Sequence, residues 1–161
     1  MHRKSILSKI FIACLLIFGL TACNEFTPKQ ETISYLVDEA NVISNENKKT
    51  LIRKLNDNKT IVPIFIRILK DVPNSNIEQY SNQKFNKIGI EKNGRGALIV
   101  LVMSTKQSRL EIGRGLEGEI PDMIASEILD NSKKHFSKGN FNTGLNSAID
   151  SIYSHLTKGK H

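Results

Sequence analysis

The chain has almost no cysteine, and this scarcity removes several classes of chemistry. Its 161 residues include two cysteines, Cys14 and Cys23, both close to the amino terminus. The segment after Cys23 therefore has no thiol that could form a disulfide, ligate a metal or act as a nucleophile. A domain without disulfides must be stabilised by its hydrophobic core, and a chain of roughly 140 residues is long enough to form one.

Long hydrophobic runs and blocks of positive charge are also missing. The apolar run FIACLLIFGL (residues 11–20) has about ten residues, which is too short to span a bilayer. Lys and Arg are scattered along the chain without interleaved aromatic side chains, so nucleic acid is not an expected partner. No internal repeat or low-complexity segment is present, and the length fits a single domain.

The first 22 residues have the composition of a lipoprotein signal peptide. Arg3, Lys4 and Lys9 precede the apolar run, which ends in Leu-Thr-Ala-Cys at residues 20–23. In bacterial lipoproteins the thiol of such a cysteine receives a diacylglyceryl group, and cleavage makes it the new amino terminus. We therefore expect acyl chains such as palmitate on Cys23 to hold the protein at the outer face of the cell membrane. An ordinary cleaved signal or a short membrane anchor is the alternative interpretation.

Removal of residues 1–22 would lower the positive charge of the protein. This segment holds three of the 23 basic residues and none of the 16 acidic ones, so the net charge falls from +7 to +4. A mildly basic surface favours contact with an anionic membrane. Residues 23–32 are polar, contain Pro28 and are predicted to be a tether, whereas residues 33–158 are predicted to be the domain.

The spacing of apolar residues predicts an α/β domain. Predicted strands are IVPIFIRIL (61–69), ALIVLVM (97–103) and RLEI (109–112), after an extended lead-in at 33–38. Predicted helices begin at Ser44, cover 74–88, run from Pro121 to about Lys134 and cover 141–156. A strand–helix–strand connection implies a parallel pair, and RLEI follows a short turn. We therefore expect a three-layer α/β/α sandwich with a small mixed sheet, a parallel core and an antiparallel hairpin edge strand.

The sequence GRGLEG (residues 113–118) matches the G-x-G-x-x-G pattern of dinucleotide-binding loops. In that fold the loop follows the first strand and opens a helix directly. Here it follows the third predicted strand, and Pro121 delays the helix. Glu117 and Glu119 also place negative charge where a pyrophosphate would lie. We therefore expect no dinucleotide and another purpose for the three glycines.

The residues around these glycines resemble the TPM-domain family. The family pattern has a hydrophobic strand, then Arg-x-x-x-Gly-x-Gly-Leu-Glu-Gly, then Pro-Asp; this chain has LIVLV, Arg109, residues 113–118 and Pro121-Asp122. Similar segments are VDEANVIS (37–44), IEQYSNQKFNKIGI (77–90) and FSKGNFNTGLNSAI (136–149), so the resemblance covers about residues 35–156. It implies the same α/β sandwich. It also implies binding of a divalent metal, calcium in particular, or a phosphatase activity.

The resemblance further implies a metal site and a cleft. Asp38, Glu117 and Asp122 stand at matching carboxylate positions and are the expected calcium ligands. The expected cleft residues are Arg109, Gly113, Gly115 and Arg95. One departure weakens this site, because Gly94-Arg95-Gly96 replaces the Asp-Asn-Gly that family members commonly carry.

Each of these residues also has a purely structural interpretation. Asp38 could form an Asx turn or an ion pair, Glu117 could face solvent, and Asp122 could complement the dipole of the helix that it begins. Glu111 alternates with apolar neighbours and is expected on the solvated face of an edge strand.

The sequence contains none of the usual phosphatase nucleophile motifs. Cys-x5-Arg, Arg-His-Gly and Asp-x-Asp are absent, and none of the four histidines has a partner at metal-ligand or triad spacing. A metal-activated water would be the only remaining route to phosphate hydrolysis. Together with the expected lipid anchor, the resemblance to the TPM-domain family implies a membrane-anchored accessory module that binds a membrane protein and assists its assembly, maintenance or regulation. The alternatives are a metal-dependent phosphatase of low specificity and a purely structural domain without a ligand.

Overall fold

The computed structural model describes residues 33–72, 76–90 and 94–158. The predicted signal peptide (1–22), the predicted lipidation residue Cys23 and the predicted tether (23–32) lie outside the described residues. The described part of the chain contains no helix that is both long and apolar enough to cross a membrane.

Four strands form one mixed sheet in the order β1-β2-β3-β4. They are β1 (Leu36–Asp38), β2 (Ile64–Leu69), β3 (Ala97–Val102) and β4 (Gln107–Ile112). β1, β2 and β3 are parallel, and β4 pairs with β3 as an antiparallel hairpin. The predicted parallel core and antiparallel edge strand are therefore confirmed. The segment expected as an extended lead-in also joins the sheet, as the short strand β1.

Side-chain character explains the position of each strand in the sheet. Every residue of β2 and β3 is buried, which agrees with strands covered by helices on both faces. Every residue of β4 is at least partly exposed, as expected for an edge strand. Pro63 immediately precedes β2, so its missing N–H removes no bond within the strand, while its carbonyl accepts from the amide of Ala97 at 3.0 Å.

Four helices surround the sheet, and local sequence signals begin or end them. They are α1 (Asn45–Asp57), α2 (Ile77–Ile88), α3 (Asp122–Phe136) and α4 (Phe141–Lys158). The predicted cap of α1 is confirmed, since the Ser44 hydroxyl accepts from the Asn47 amide. Gly89 ends α2 in the left-handed conformation, with φ of 78°.

The sheet has an apolar core on each face. One core joins alternate residues of β2 and β3 to Leu51 and Leu55 of α1, Ile128 of α3 and the buried face of α4. The other core joins the intervening strand residues to α2 alone, through Ile77, Tyr80, Phe85 and Ile88. Three helices therefore cover one face and a single helix covers the other, which is the expected three-layer sandwich.

Candidate functional site

The glycines of GRGLEG bring two backbone segments into close contact. A Cβ atom at Gly113 would lie 2.6 Å from the Gly94 carbonyl oxygen, and one at Gly115 would lie 2.7 Å from the same oxygen. The Gly113 amide donates to the Gly96 carbonyl at 2.9 Å, and the Gly115 amide donates to the Gly94 carbonyl. Glycine is therefore required by the packing of residues 113–115 against residues 94–96.

The loop has no direct strand-to-helix turn of the dinucleotide-binding kind. A short 3-10 helix (Arg114–Leu116) follows Gly113 and buries Leu116 completely. Helix α3 begins only at Asp122, after Pro121. The last glycine, Gly118, has open space around it and does not lie at a helix start. The amides of α3 are therefore not presented to a ligand by the glycine loop.

Arg95 fixes this loop from outside the predicted cleft. Its guanidinium donates to the Gly115 carbonyl at 2.8 Å and forms an ion pair with Glu119 at 3.2 Å. The Arg95 side chain thus clamps the glycine loop. The structure does not place Arg95, Gly113 or Gly115 on the cleft surface described next. These three expected cleft residues support the loop instead.

A polar cleft of about 410 Å³ runs along the outer edge of β4. Its floor is the strand itself, from Ser108 to Ile112. Ile77 at the start of α2 forms one side, and the other is formed by Ala125, Ser126 and Leu129 of α3. Glu117 and Asp122 line the end of the cleft next to Ile112. The structure therefore places Arg109, Glu117 and Asp122 in the lining of one cleft.

Arg109 and Glu111 form an ion-paired cluster in this cleft. They are separated by one residue on β4, so both side chains project from the sheet face covered by α2. The Arg109 Nε donates to the Glu111 carboxylate, and Nη2 lies 3.7 Å from Glu78 of α2. The expectation that Glu111 is simply solvated is wrong, because its side chain is only 17% exposed and is paired with Arg109.

Glu117 and Asp122 are exposed carboxylates without a partner in the described residues. Neither takes part in a side-chain hydrogen bond or ion pair within residues 33–72, 76–90 and 94–158. Asp122 is the first residue of α3, where a negative charge complements the helix dipole. The acidic end of the cleft therefore has two exposed carboxylates with which no side chain of the described domain pairs.

Asp38 lies at the opposite corner of the sheet, which contradicts its expected place in the cleft. It ends β1 and is paired with Ile68 near the carboxyl end of β2, whereas Ile112 is paired with Ala97 at the amino end of β3. β1 and β4 are the two edges of the sheet, three strand spacings or roughly 14 Å apart.

The environment of Asp38 shows a structural role. Its carboxylate is 1% exposed, forms a 3.0 Å ion pair with Lys48 and accepts from the amides of Val42 and Ile43. Asp38 thereby caps the turn between β1 and α1. Of its two structural alternatives the ion pair is observed, whereas the backbone bonds reach four and five residues on and do not form an Asx turn.

The three predicted calcium ligands therefore do not form one donor set. Among the residues that the structure describes, no group of three or more His, Cys, Asp or Glu side chains could hold a metal ion. Glu117 and Asp122 alone supply two carboxylates, whereas calcium takes six to eight oxygen ligands. Most ligands of an ion bound here would be water or backbone carbonyls.

Glu78 and the α3 wall were not predicted as parts of the site. Glu78 lies in the first turn of α2, where the helix dipole alone explains an acid. Ala125, Ser126 and Leu129 belong to the ordinary amphipathic pattern of α3. Alternation along β4 was a usable signal for Glu111, because it places this acid on the same face as Arg109.

Comparisons with known proteins agree with the fold. The model of the TPM-domain family matches residues 36–155. The chain is similar to the N-terminal domain of a P. gingivalis protein, with 28% identity and a TM-score of 0.69. The match covers 76% of this chain and 81% of that one.

Two further solved structures are similar in fold. The BA42 protein of the psychrophilic bacterium Bizionia argentinensis has 18% identity and a TM-score of 0.63, covering 72% of this chain and 82% of its own. The N-terminal domain of the cg2496 protein of Corynebacterium glutamicum has 15% identity and a TM-score of 0.61, covering 80% and 83%. A comparison with curated proteins found no match. On the match to residues 36–155, this chain belongs to the TPM-domain family.

Proposed function

We propose that this protein is a membrane-anchored, extracytoplasmic binding module that docks a membrane-protein partner in the cleft along β4. The observation that carries the proposal is that Glu117 and Asp122, at the acidic end of that cleft, have exposed carboxylates without a side-chain partner in the described residues. Unpaired carboxylates at the end of a walled groove attract a complementary basic group. Docking of this kind suits an accessory role in assembly, maintenance or regulation of a membrane complex.

The anchor in this proposal is the lipid on Cys23. Nine residues lie between Cys23 and Ile33, the first residue that the structure describes, so ten residue-to-residue steps connect the two. A chain of this length spans at most about 35 Å, so the acyl chains would keep the domain close to the bilayer surface. The chain enters the described domain at the amino end of β1, which is the same end of the sheet as the glycine loop and the acidic end of the cleft.

In this proposal Glu117 and Asp122 bind calcium weakly. Two carboxylates with most of the remaining coordination from water give an affinity toward the millimolar end of the protein range. The ion would screen the acidic end of the cleft and compete with a basic partner there. Calcium would therefore regulate docking in this proposal and would not support catalysis.

Site-specific photo-crosslinking in cells tests the proposed function. A benzoylphenylalanine at Ser126, on the exposed wall of the cleft, is expected to form an adduct with a membrane protein. The matched control carries the crosslinker at the exposed Lys49 of α1 and is expected to give no such adduct. The combined Glu117→Gln and Asp122→Asn variant should weaken the adduct, and Cys23→Ser should release the protein from the membrane.

Two results would contradict this function. Equal adducts at positions 49 and 126 would show that the cleft has no preference for a partner. Turnover of an aryl phosphate that disappears in Glu117→Gln would support the alternative, a metal-dependent phosphatase of low specificity.

A further inference from the structure

The outer edge of β4 is an unpaired strand edge inside the cleft. β4 is the last strand of the sheet, and within the described residues no strand pairs with its outer side. Such an edge presents a row of unused backbone donors and acceptors, which is a template for another strand. Most edge strands are covered or kept very short, whereas this one has six residues.

The hydrogen-bond pattern identifies which residues face outward. The Gly113 amide bonds to the Gly96 carbonyl of the neighbouring segment, whereas the Ala97 amide points away from β4, to Pro63. Because bonding alternates along an antiparallel pair, Arg109 and Glu111 use their backbone groups on β3. Ser108, Leu110 and Ile112 therefore present their amides and carbonyls to the open edge.

Two walls flank the space beside this edge. Ile77 of α2 stands on one face of the sheet, and the small residues Ala125 and Ser126 of α3 stand on the other. Side chains of an added strand would alternate between these two walls. A second copy of the whole domain would instead bring its own α2 and α3 against the same walls. The shape thus favours a single extended segment.

The charges of the cleft specify the chemistry of that segment. Arg109 is already paired with Glu111 and Glu78, so it is not available for an acidic ligand. Glu117 and Asp122 have no such pairing in the described domain and lie beside Ile112, at one end of the edge. A segment bound along β4 would satisfy these carboxylates by placing Lys or Arg at that end.

We propose that β4 binds an extended, basic peptide segment of its partner by strand addition, an inference that rests on the proposed binding function. The segment alternates β-branched residues, which face the α3 wall, with polar residues that face Arg109 and Glu111. Backbone hydrogen bonds to Ser108, Leu110 and Ile112 supply affinity, and the basic residue at the acidic end supplies selectivity.

A random heptapeptide library displayed on phage, panned against the full-length protein in lipid nanodiscs, tests this inference. Enriched peptides are expected to alternate β-branched residues and to carry Lys or Arg. Ser108→Pro removes an outward amide at an edge position that tolerates proline, so it should weaken synthetic versions of these peptides about tenfold or more. The matched control Ser108→Ala keeps the amide and should bind like the wild type.

A second pair of variants tests the charge without endangering the fold. Glu117→Gln and Asp122→Asn are substitutions of exposed side chains and should weaken the selected peptides while removing much of the salt dependence of binding. Unchanged affinity in both variants would overturn the assigned chemistry of the segment.

Other outcomes separate this inference from the proposed function. Failure to enrich any alternating basic peptide, or binding that is unaffected in a folded Ser108→Pro protein, would overturn strand addition. A wild-type dimer that Ser108→Pro converts to a monomer would replace the peptide with a second copy. If the crosslink at position 126 persists in any of these cases, the binding function stands without strand addition.

Discussion

Asp38 and Asp122, which were predicted to bind the same metal ion, have different surroundings. Asp38 is enclosed, ion-paired with Lys48 and bonded to two backbone amides, whereas Asp122 is exposed at the start of α3 and borders the cleft. The sequence places both acids next to ordered elements but does not say which is enclosed. Only the strand order separates them, since it puts β1 and β4 on opposite edges.

Replacement of these two acids by alanine should therefore have unequal effects on stability. Asp38→Ala leaves the amides of Val42 and Ile43 without their acceptor and removes the ion pair of Lys48, which keeps its hydrogen bond to Asn41. It should lower the free energy of unfolding by about 2–3 kcal/mol. Asp122→Ala loses only a dipole interaction and should cost about 1 kcal/mol or less. Urea denaturation measures both, and equal costs would contradict the assigned roles.

Tyr153 makes the stability of the domain depend on pH in the alkaline range. Burial among the residues of α4 is the main cause that raises the pKa of its phenol to about 12, and Tyr35 and Asp150 add to the effect. Its hydroxyl has no hydrogen-bond partner within the described part of the chain. A buried phenolate would therefore be destabilising, because nothing there solvates the charge.

The pKa of Tyr153 in the folded protein lies above its value of about 10 in the unfolded chain. The protonated phenol therefore makes its full contribution to the free energy of unfolding below pH 10, and this contribution is lost as the pH rises through 12. Tyr153→Phe should unfold with a free energy within about 1 kcal/mol of the wild type at pH 7. Between pH 10 and 12 the wild type should lose up to roughly 2 kcal/mol more than this variant. Denaturation at a series of pH values measures the difference, and parallel curves would refute the assignment.

At the scale of elements, the glycine loop depends on contact between two short segments distant in sequence. Residues 113–115 pack against residues 94–96 through backbone atoms, and Arg95 closes over the contact. The sequence correctly indicated that GRGLEG is not a dinucleotide-type strand-to-helix turn. The contact with residues 94–96 could not be predicted, because a glycine in the sequence does not indicate which atoms lie where a Cβ would be.

Alanine substitutions in the loop should separate the packed glycines from the free one. Gly113→Ala and Gly115→Ala place a Cβ within 2.7 Å of the Gly94 carbonyl oxygen, and each should cost about 1–3 kcal/mol through displacement of the loop. Gly118→Ala is the control, since no atom lies within 4 Å of its Cβ position, and it should change stability by about 0.5 kcal/mol or less. Comparable losses at Gly118 and Gly113 in thermal denaturation would contradict this account.

The elements that could be predicted are those in which apolar residues recur with a clear period. β2, β3 and α4 have long apolar patterns, and their predicted positions agree with the structure to within three residues. β1 has only three residues, too few to show alternation, and forms because its neighbour β2 offers a buried edge. The prediction that Glu111 is solvated was wrong, because alternation along a strand shows neither its ion pair with Arg109 nor that α2 covers this face.

At the scale of the whole molecule, uneven cover of the sheet creates the cleft. Three helices pack on one face and α2 alone on the other, so β4 is flanked by α2 and α3 while its outer edge stays open within the described domain. The hairpin turn directs β4 back to the end of the sheet where the glycine loop and α3 begin. Basic residues, by contrast, are spread over the chain, so the acidic end of the cleft is a local feature of a mildly basic protein.

A partner that occupies this cleft at the membrane would protect the backbone amides of β4. Amide hydrogen exchange of the full chain, measured in native membranes and after purification in detergent, detects this protection. We expect slower exchange of residues 107–112 in the membranes and unchanged exchange of α1 (Asn45–Asp57). Equal exchange of residues 107–112 in both samples would contradict the claim that the cleft is the binding site of this protein.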